Sequence, residues 1–251
     1  MENSDKVKII ILAGGKGTRM RHELPKVLVP LKGKPMIKHL IESVERSGVC
    51  DKPCIVVGYG RELVQKELGD KYNYVVQEEQ LGTGHAVLCA EKCIKNTKSV
   101  LVLYGDNPYM TSETIKKLVR KHSESKNEIT MATVMLPDFK DWRVFFYTNF
   151  SRIIRDASGK ILKSVEFKDA SEEEKEVKEV NPCYFCFDAK WLLQELKTLK
   201  NHNAQGEYYL TDLVKIAMEE GKKIESIKID PSEALAVNSK DELELVEKFT
   251  V

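Results

Sequence analysis

Along the first half of the chain, short apolar runs alternate with segments whose apolar positions recur every three or four residues. Val7 to Ala13, Cys54 to Val57, Tyr74 to Gln77 and Val100 to Tyr104 are runs of the first kind, rich in β-branched side chains, and predict buried strands. Met36 to Val44 is apolar at 36, 37, 40, 41 and 44, which is one face of a helix. Arg61 to Leu68 has the same pattern, a further helix is expected from the Gly82-Thr83-Gly84 turn to about Lys95, and another over residues 113–122 before a strand at Ile129 to Leu136. Strand and helix in strict alternation predict an α/β fold, a mainly parallel sheet flanked by helices, with ligands at the carboxyl ends of its strands.

From about residue 138 the pattern changes. Arg143 to Tyr147, Ser151 to Arg155 and Ile161 to Phe167 read as strands, the last two joined by Asp156-Ala157-Ser158-Gly159-Lys160 as a hairpin. Ser171 to Glu176 reads as a short charged helix opened by a capping box from Ser171 to Glu174. Asn181 to Phe187 follows as a strand, then helices over Trp191 to Leu199 and Asp212 to Glu220, a strand at Lys223 to Ile229, and a last helix, Asp241 to Phe249, capped by Ser239 with Glu242. The expected organisation is one domain over 1–251, with a first half at 1–137 and a β-rich second half at 138–251.

Chemistry concentrates where the first strand ends. Gly14, Gly15 and Gly17 leave bare backbone amides beside Lys16, Arg19 and Lys26, a combination suited to holding phosphate. Taken alone, the same stretch also suits a tight strand-to-helix turn with surface lysines. Two familiar phosphate loops are excluded: Lys16 precedes Gly17-Thr18 with no Gly-Lys pair in P-loop register, and Met20 stands where the dinucleotide fingerprint needs its third glycine. The strand from Val100 delivers Asp106 to its carboxyl end, as an acid of a site or as the start of the turn Asp106-Asn107-Pro108. The run Ala234 to Asn238 delivers an oxygen ligand to a strand end in the same way.

Composition narrows the partners. With 40 basic and 39 acidic residues the net charge is +1, so no whole-chain field recruits nucleic acid or an anionic membrane. No basic stripe with interleaved aromatics is present, no apolar stretch reaches the roughly 20 residues that span a bilayer, and the polar start Met1 to Lys6 has no apolar core behind it. A cytoplasmic location is expected. The six cysteines, at 50, 54, 89, 93, 183 and 186, form no compact metal knuckle, and reduced thiols are expected.

Taken in order, the motifs resemble those of the sugar-1-phosphate nucleotidyltransferases, and within them the uridylyltransferases acting on N-acetylglucosamine-1-phosphate. The resemblance is carried by Leu12 to Met20 with Pro25-Lys26-Val27-Leu28, Gln80 to Ala86, Leu103-Tyr104-Gly105-Asp106, Glu166 to Ala170, Asn203 to Asp212 and Val237-Asn238, nearly the length of the chain. It implies a Rossmann-like nucleotidyltransferase fold with a β-rich sugar-binding lobe, and a reaction of UTP with a sugar-1-phosphate that yields a UDP-sugar and pyrophosphate. It further implies that Leu12, Ala13, Gly14, Gln77, Gly82 and Thr83 hold uracil, and that Arg19 and Lys26 hold the triphosphate. Asp106 and Asn238 would bind Mg2+, Tyr104, Glu166 and Asn181 would meet sugar and ribose hydroxyls, and Gly15, Gly105 and Ser151 complete the substrate-binding set. His85 is expected to serve the start of its helix rather than to pair with Cys89 in catalysis.

The chain departs from the family pattern on the sugar side. Phe150-Ser151-Arg152 stands where Tyr-Gly-Arg is usual, Asn181-Pro182-Cys183 where Asn, a small residue and Gly are usual, and Asp141 to Thr148 is longer and more aromatic. Another hexose-1-phosphate or nucleoside triphosphate therefore stays open, as does a non-catalytic sugar-nucleotide-binding regulator, against which stand the four retained residues Arg19, Lys26, Asp106 and Asn238. The acetyltransferase β-helix of bifunctional members has no counterpart, so neither acetyl transfer nor the trimer it builds is expected, and no oligomeric state is indicated.

Overall fold

A computed structural model describes residues 7–20, 22–203 and 205–249. Its first half runs β1 (Val7–Ala13), a small ribbon of β2 (Pro30–Leu31) and β3 (Lys34–Pro35), α1 (Met36–Ser47), β4 (Cys54–Val57), α2 (Arg61–Leu68), β5 (Asn73–Val76), α3 (Thr83–Cys89), α4 (Glu91–Ile94), β6 (Ser99–Tyr104), α5 (Ser112–Ser125) and β7 (Ile129–Met135). The second half adds α6 (Phe145–Asn149), β8 (Ser151–Arg155), β9 (Ile161–Val165), α7 (Glu172–Lys175), β10 (Glu179–Asn181), β11 (Phe185–Asp188), α8 (Ala189–Glu195), α9 (Asp212–Glu219), β12 (Ile224–Ile229) and α10 (Lys240–Lys248).

One large sheet runs in the order β5, β4, β1, β6, β11, β7, β10, β8, β9, with β12 also on β7. The first four strands are parallel, as their alternation with helices predicts. β1 is covered on both faces: Ile9 and Ile11 join a core with Ile37, Leu40 and Ile115, while Ile10 joins a second core with Val87, Leu192 and Leu213. A strand buried on both sides must be apolar at odd and even positions alike, which is what Ile9 to Ala13 shows. Direction changes at β11, which is antiparallel to both β6 and β7. Apolar runs carry no sign of strand direction, so this insertion into the parallel core lay outside the sequence reading.

Three expectations need correction. The strand foreseen at Arg143 to Tyr147 is a 3-10 turn, Asp141–Val144, followed by α6. Phe145, Phe146 and Phe150 pack on one another with ring centroids 5.0 to 5.5 Å apart. The buried Arg152 donates to the carbonyls of Tyr147 (2.6 Å), Phe150 (2.7 Å) and Phe146 (3.4 Å) around the end of that helix, and to Lys175 O (3.0 Å) at the end of α7. Tertiary contacts thus override the β preference of aromatic and β-branched residues. The single strand foreseen from Asn181 to Phe187 is broken into β10 and β11. Val180 stands opposite Val134 and Phe185 opposite Met131, so four residues, 181–184, face two, 132–133, across a bulge. Asn238 ends no strand; it follows a 3-10 turn, Pro231–Ala234, in an irregular extended segment.

Two helix starts agree with their forecast. Ser171 and Glu174 form the reciprocal capping box, and Ser239 Oγ accepts from Glu242 N at 3.2 Å. All six cysteines are free, and the described residues contain no group of three or more His, Cys, Asp or Glu placed to hold a metal. None of the described helices is long and apolar enough to cross a membrane.

Candidate active site

The glycines after β1 have separate tasks. A side chain at Gly14 would stand 3.2 Å from Gln77 Oε1 and 3.3 Å from Gly58 N, a tight fit, so glycine here lets the loop lie close against the end of β4 and Gln77. Gly17 has φ +64°, and a Cβ there would fall 2.6 Å from Lys26 Cβ. That approach seats the loop on the turn Lys26–Leu28 and aims Lys26 inward. Across the cleft, Gly82 (φ +104°) would place a Cβ 2.6 Å from Tyr208 O. Gly84 N donates to the same carbonyl at 2.8 Å, and Leu210 N donates to Thr83 Oγ1 at 3.0 Å. The segment around Tyr208 is thereby laced onto the start of α3.

A cavity of about 230 Å3 lies between these two turns. Leu12 and Ala13 of β1 and Gly14 and Gly15 of the loop after it line it, with Gln77, Gly82 and Thr83, and with Lys26, Tyr104 and Asp106. Gln77 is buried, and its Nε2 donates to Gly82 O (3.1 Å) and meets His85 Nδ1 (3.1 Å). With both amide hydrogens taken, Oε1 is an acceptor held on the Gly14 side. His85 Nδ1 must accept, which puts its proton on Nε2, 3.8 Å from Cys89 Sγ. The ring therefore fixes Gln77, and burial raises the Cys89 thiol rather than activating it.

Lys26 Nζ contacts the Asp106 carboxylate and lies 2.9 Å from Asn238 Oδ1. The Lys26–Asp106 pair is well shielded, the two side chains being 16% and 14% exposed. Three elements bring the group together: the turn after the glycine loop, the end of β6, and the lead-in to α10, where Val237 N donates to Asp106 O and Glu242 Oε2 accepts from Asn238 N. Two oxygens from separate elements thus converge on one positive centre, with the ammonium standing where a cation is favoured. An all-oxygen pair of this kind fits a hard divalent ion completed by phosphate and water.

A second cavity, about 420 Å3, adjoins the first. Tyr104, Asp106 and Thr83 line both; Arg19 and Asn238 line the second alone, together with residues of α6 and the β10–β11 bulge. Burial and the nearby Cys183 and Asp106 hold the Tyr104 phenol well above its ordinary range, so it is a neutral hydroxyl here. Gly105, Ser151, Glu166 and Asn181 line neither cavity. Gly105 N donates to Leu12 O at 2.9 Å, Ser151 Oγ donates to Glu166 Oε1 at 2.8 Å, and Asn181 Oδ1 accepts from Cys183 N at 2.8 Å. Asn181 Nδ2 is buried without a partner in the structure. Reasoning from sequence gave no site role to Gln80 and Glu207 in the first cavity or to Asn149 in the second, and it marked the stretches holding Phe145, Thr148, Pro182 and Cys183 only as departures from the family pattern. The orienting role of His85 was also unforeseen, since a hydrogen bond across eight positions of irregular chain leaves no periodic trace.

The nucleotidyl transferase family profile matches residues 8–231. Among curated proteins, the bifunctional protein GlmU of Caldanaerobacter subterraneus is 44% identical over 95% of this chain and 50% of its own length. That of Clostridium botulinum strain Loch Maree is 43% identical over 93% and 50%, and that of Brevibacillus brevis 39% identical over 97% and 51%. The chain thus spans about half the length of these relatives. Among solved structures, a Bacillus anthracis protein assigned as a glucose-1-phosphate thymidylyltransferase superposes with a TM-score of 0.74 at 20% identity, over 98% of this chain and 97% of that one, a likeness of fold.

Proposed function

The chain belongs to the nucleotidyl transferase family, and from that premise we propose that it transfers a uridylyl group from UTP to a sugar-1-phosphate, N-acetylglucosamine-1-phosphate foremost, releasing pyrophosphate. One observation carries the reading: a base-sized cavity and a second, larger one meet at Asp106, with Lys26, Arg19 and Asn238 around the junction. That is the layout needed to bring two phosphorylated molecules end to end.

Gln77 supports the choice of base. Its fixed Oε1 accepts the ring N–H of a uracil-type pyrimidine, a donor that cytosine lacks, and a buried site built around one acceptor discriminates strongly against a base that leaves it unpaired. Lys26 and Arg19 neutralise the triphosphate, and the glycine loop admits it close to the main chain. An oxygen of the sugar phosphate then attacks the α-phosphorus while the bond to the pyrophosphate oxygen breaks, so the chain contributes alignment and charge stabilisation rather than a nucleophile. Asp106 and Asn238 would hold Mg2+, which when bound supplies further positive charge to the phosphate oxygens.

The test is pyrophosphate release measured for each nucleoside triphosphate against a panel of sugar-1-phosphates with Mg2+. UTP is expected to dominate, and absence of turnover with UTP and every sugar would refute the proposal. Asp106→Ala is expected to lower turnover by about 100-fold or more with melting little changed; retained activity would remove Asp106 from the cation site.

A further inference from the structure

Five non-glycine residues among those described have positive φ: Lys32, Asn96, Lys126, Asp141 and Cys183. The first four are exposed, in turns or at helix ends, where solvent and local chain accommodate the conformation. Cys183, at φ +65°, is different, because it is partly buried, sits in the β10–β11 bulge, and lines the second cavity. A β-carbon in the left-handed region is strained, and strain kept inside a packed sheet beside a site points to a task for the side chain.

The bulge explains how the side chain reaches the cavity. Phe185 pairs with Val102, so the residues before it lie alongside the end of β6, where Tyr104 and Asp106 stand. An uninterrupted strand would alternate its side chains between the two cores; the two extra residues re-aim Cys183 into the cleft. Pro182 stiffens the preceding backbone, Cys183 N donates to Asn181 Oδ1 at 2.8 Å, and the Cys183 thiol lies 3.8 Å from Asn181 O, so main chain and side chain are both held. Phe145, Phe150 and Pro182 line the same cavity. Burial, with Glu166 nearby, pushes the thiol up to about 12, which leaves it neutral and weakly polar at physiological pH.

We propose that Cys183 is a specificity-determining residue: its side chain is the wall against which the ring substituent of the sugar packs, and its size limits which substituents enter. The proposal rests on the reading of the second cavity as the sugar-phosphate end of the site.

Two variants separate space from strain. Cys183→Ala keeps the β-carbon and the strained backbone but removes the sulfur; Cys183→Gly removes both. The measurement is kcat/KM for a series of hexosamine-1-phosphates carrying acetyl, propionyl and butyryl amides, alongside UTP affinity by calorimetry and thermal melting. In both variants the ratio of butyryl to acetyl substrate is expected to rise by about tenfold or more, the low end of what one methylene-sized change in a pocket contributes. UTP affinity is expected to stay within about twofold, and Cys183→Gly to melt no lower than the parent. An unchanged ratio in both variants with UTP affinity intact would overturn the proposal and make the bulge purely structural. Failure of the parent protein to turn over any sugar-1-phosphate would overturn the reading of the reaction, and this inference with it, a result distinct from the first.

Discussion

Replacing Arg152 by methionine tests whether one buried guanidinium holds α6 and the end of α7 in place. Arg152 is fully buried and donates to three main-chain carbonyls at 2.6, 2.7 and 3.0 Å and to a fourth at 3.4 Å. It also lies 4.8 to 5.4 Å from the ring centres of Phe139, Tyr147 and Phe167. Three charge-assisted bonds at about 1.5 to 3 kcal/mol each give roughly 4.5 to 9 kcal/mol. Burial of the cation costs about several kcal/mol and is recovered on its removal. Methionine fills most of the volume but leaves the carbonyls unpaired, so the net loss is about 3 to 5 kcal/mol. In a chain of this length each kcal/mol moves the midpoint by about 2 to 4 °C, giving a Tm lower by roughly 10 °C. Calorimetry or urea unfolding reads the loss directly. Because the same carbonyls shape α6, which lines the second cavity, the surviving protein should show a raised KM for the sugar-1-phosphate with KM for UTP little changed. A loss under about 1 kcal/mol, or equal effects on both substrates, would refute the reasoning.

His122 makes stability depend on pH. It is 4% exposed beside Thr130 Oγ1, and burial lowers its pKa from 6.5 to about 4. The folded state therefore holds it neutral while the unfolded chain protonates it. Stability is full above the unfolded pKa and falls between about pH 6.5 and pH 4, by about 2 kcal/mol at pH 5. Urea unfolding at pH 7.5 and pH 5 of the parent and His122→Gln checks this, since the variant should lack that share of the acid loss; identical pH dependence would refute it. At the base end, Gln77→Glu removes both donors to Gly82 and His85 and is expected to weaken UTP binding by about one to two orders of magnitude. His85→Ala should weaken it by about tenfold through loss of orientation alone, and calorimetric titration with UTP showing no change in either would remove Gln77 from base recognition.

What could be read from the chain itself was what depends on short-range pattern. The runs around Ile9 to Ile11 and Val100 to Leu103 are apolar on both faces because both faces are covered, so β1 and β6 were legible. Gly17 and Gly82 were legible as loop residues, and both have positive φ and no room for a β-carbon. The helix at Phe145 was not: its aromatic and β-branched composition favours a strand, and the deciding partners, Arg152 and Lys175, belong to elements further along the chain. The break at Asn181 to Tyr184 was hidden for a similar reason. Its cause is registry against β7, which pairs with three other strands at once. The candidate site follows the same division. The smaller cavity is lined largely by residues within local motifs, whereas Cys183 and Phe145 come to the larger one only through long-range packing.

Lys26 and Asn238 are separated by 212 positions, yet they meet at 2.9 Å. Ribosomal synthesis makes the glycine loop and Lys26 long before Asn238. A nascent or prematurely terminated chain can display the loop, Lys26 and Asp106 while still lacking the second oxygen at their meeting point. The order of translation thus keeps the meeting point of Lys26, Asp106 and Asn238 incomplete until the α10 lead-in has been made, so a partly made domain does not yet possess the charge arrangement of the finished one.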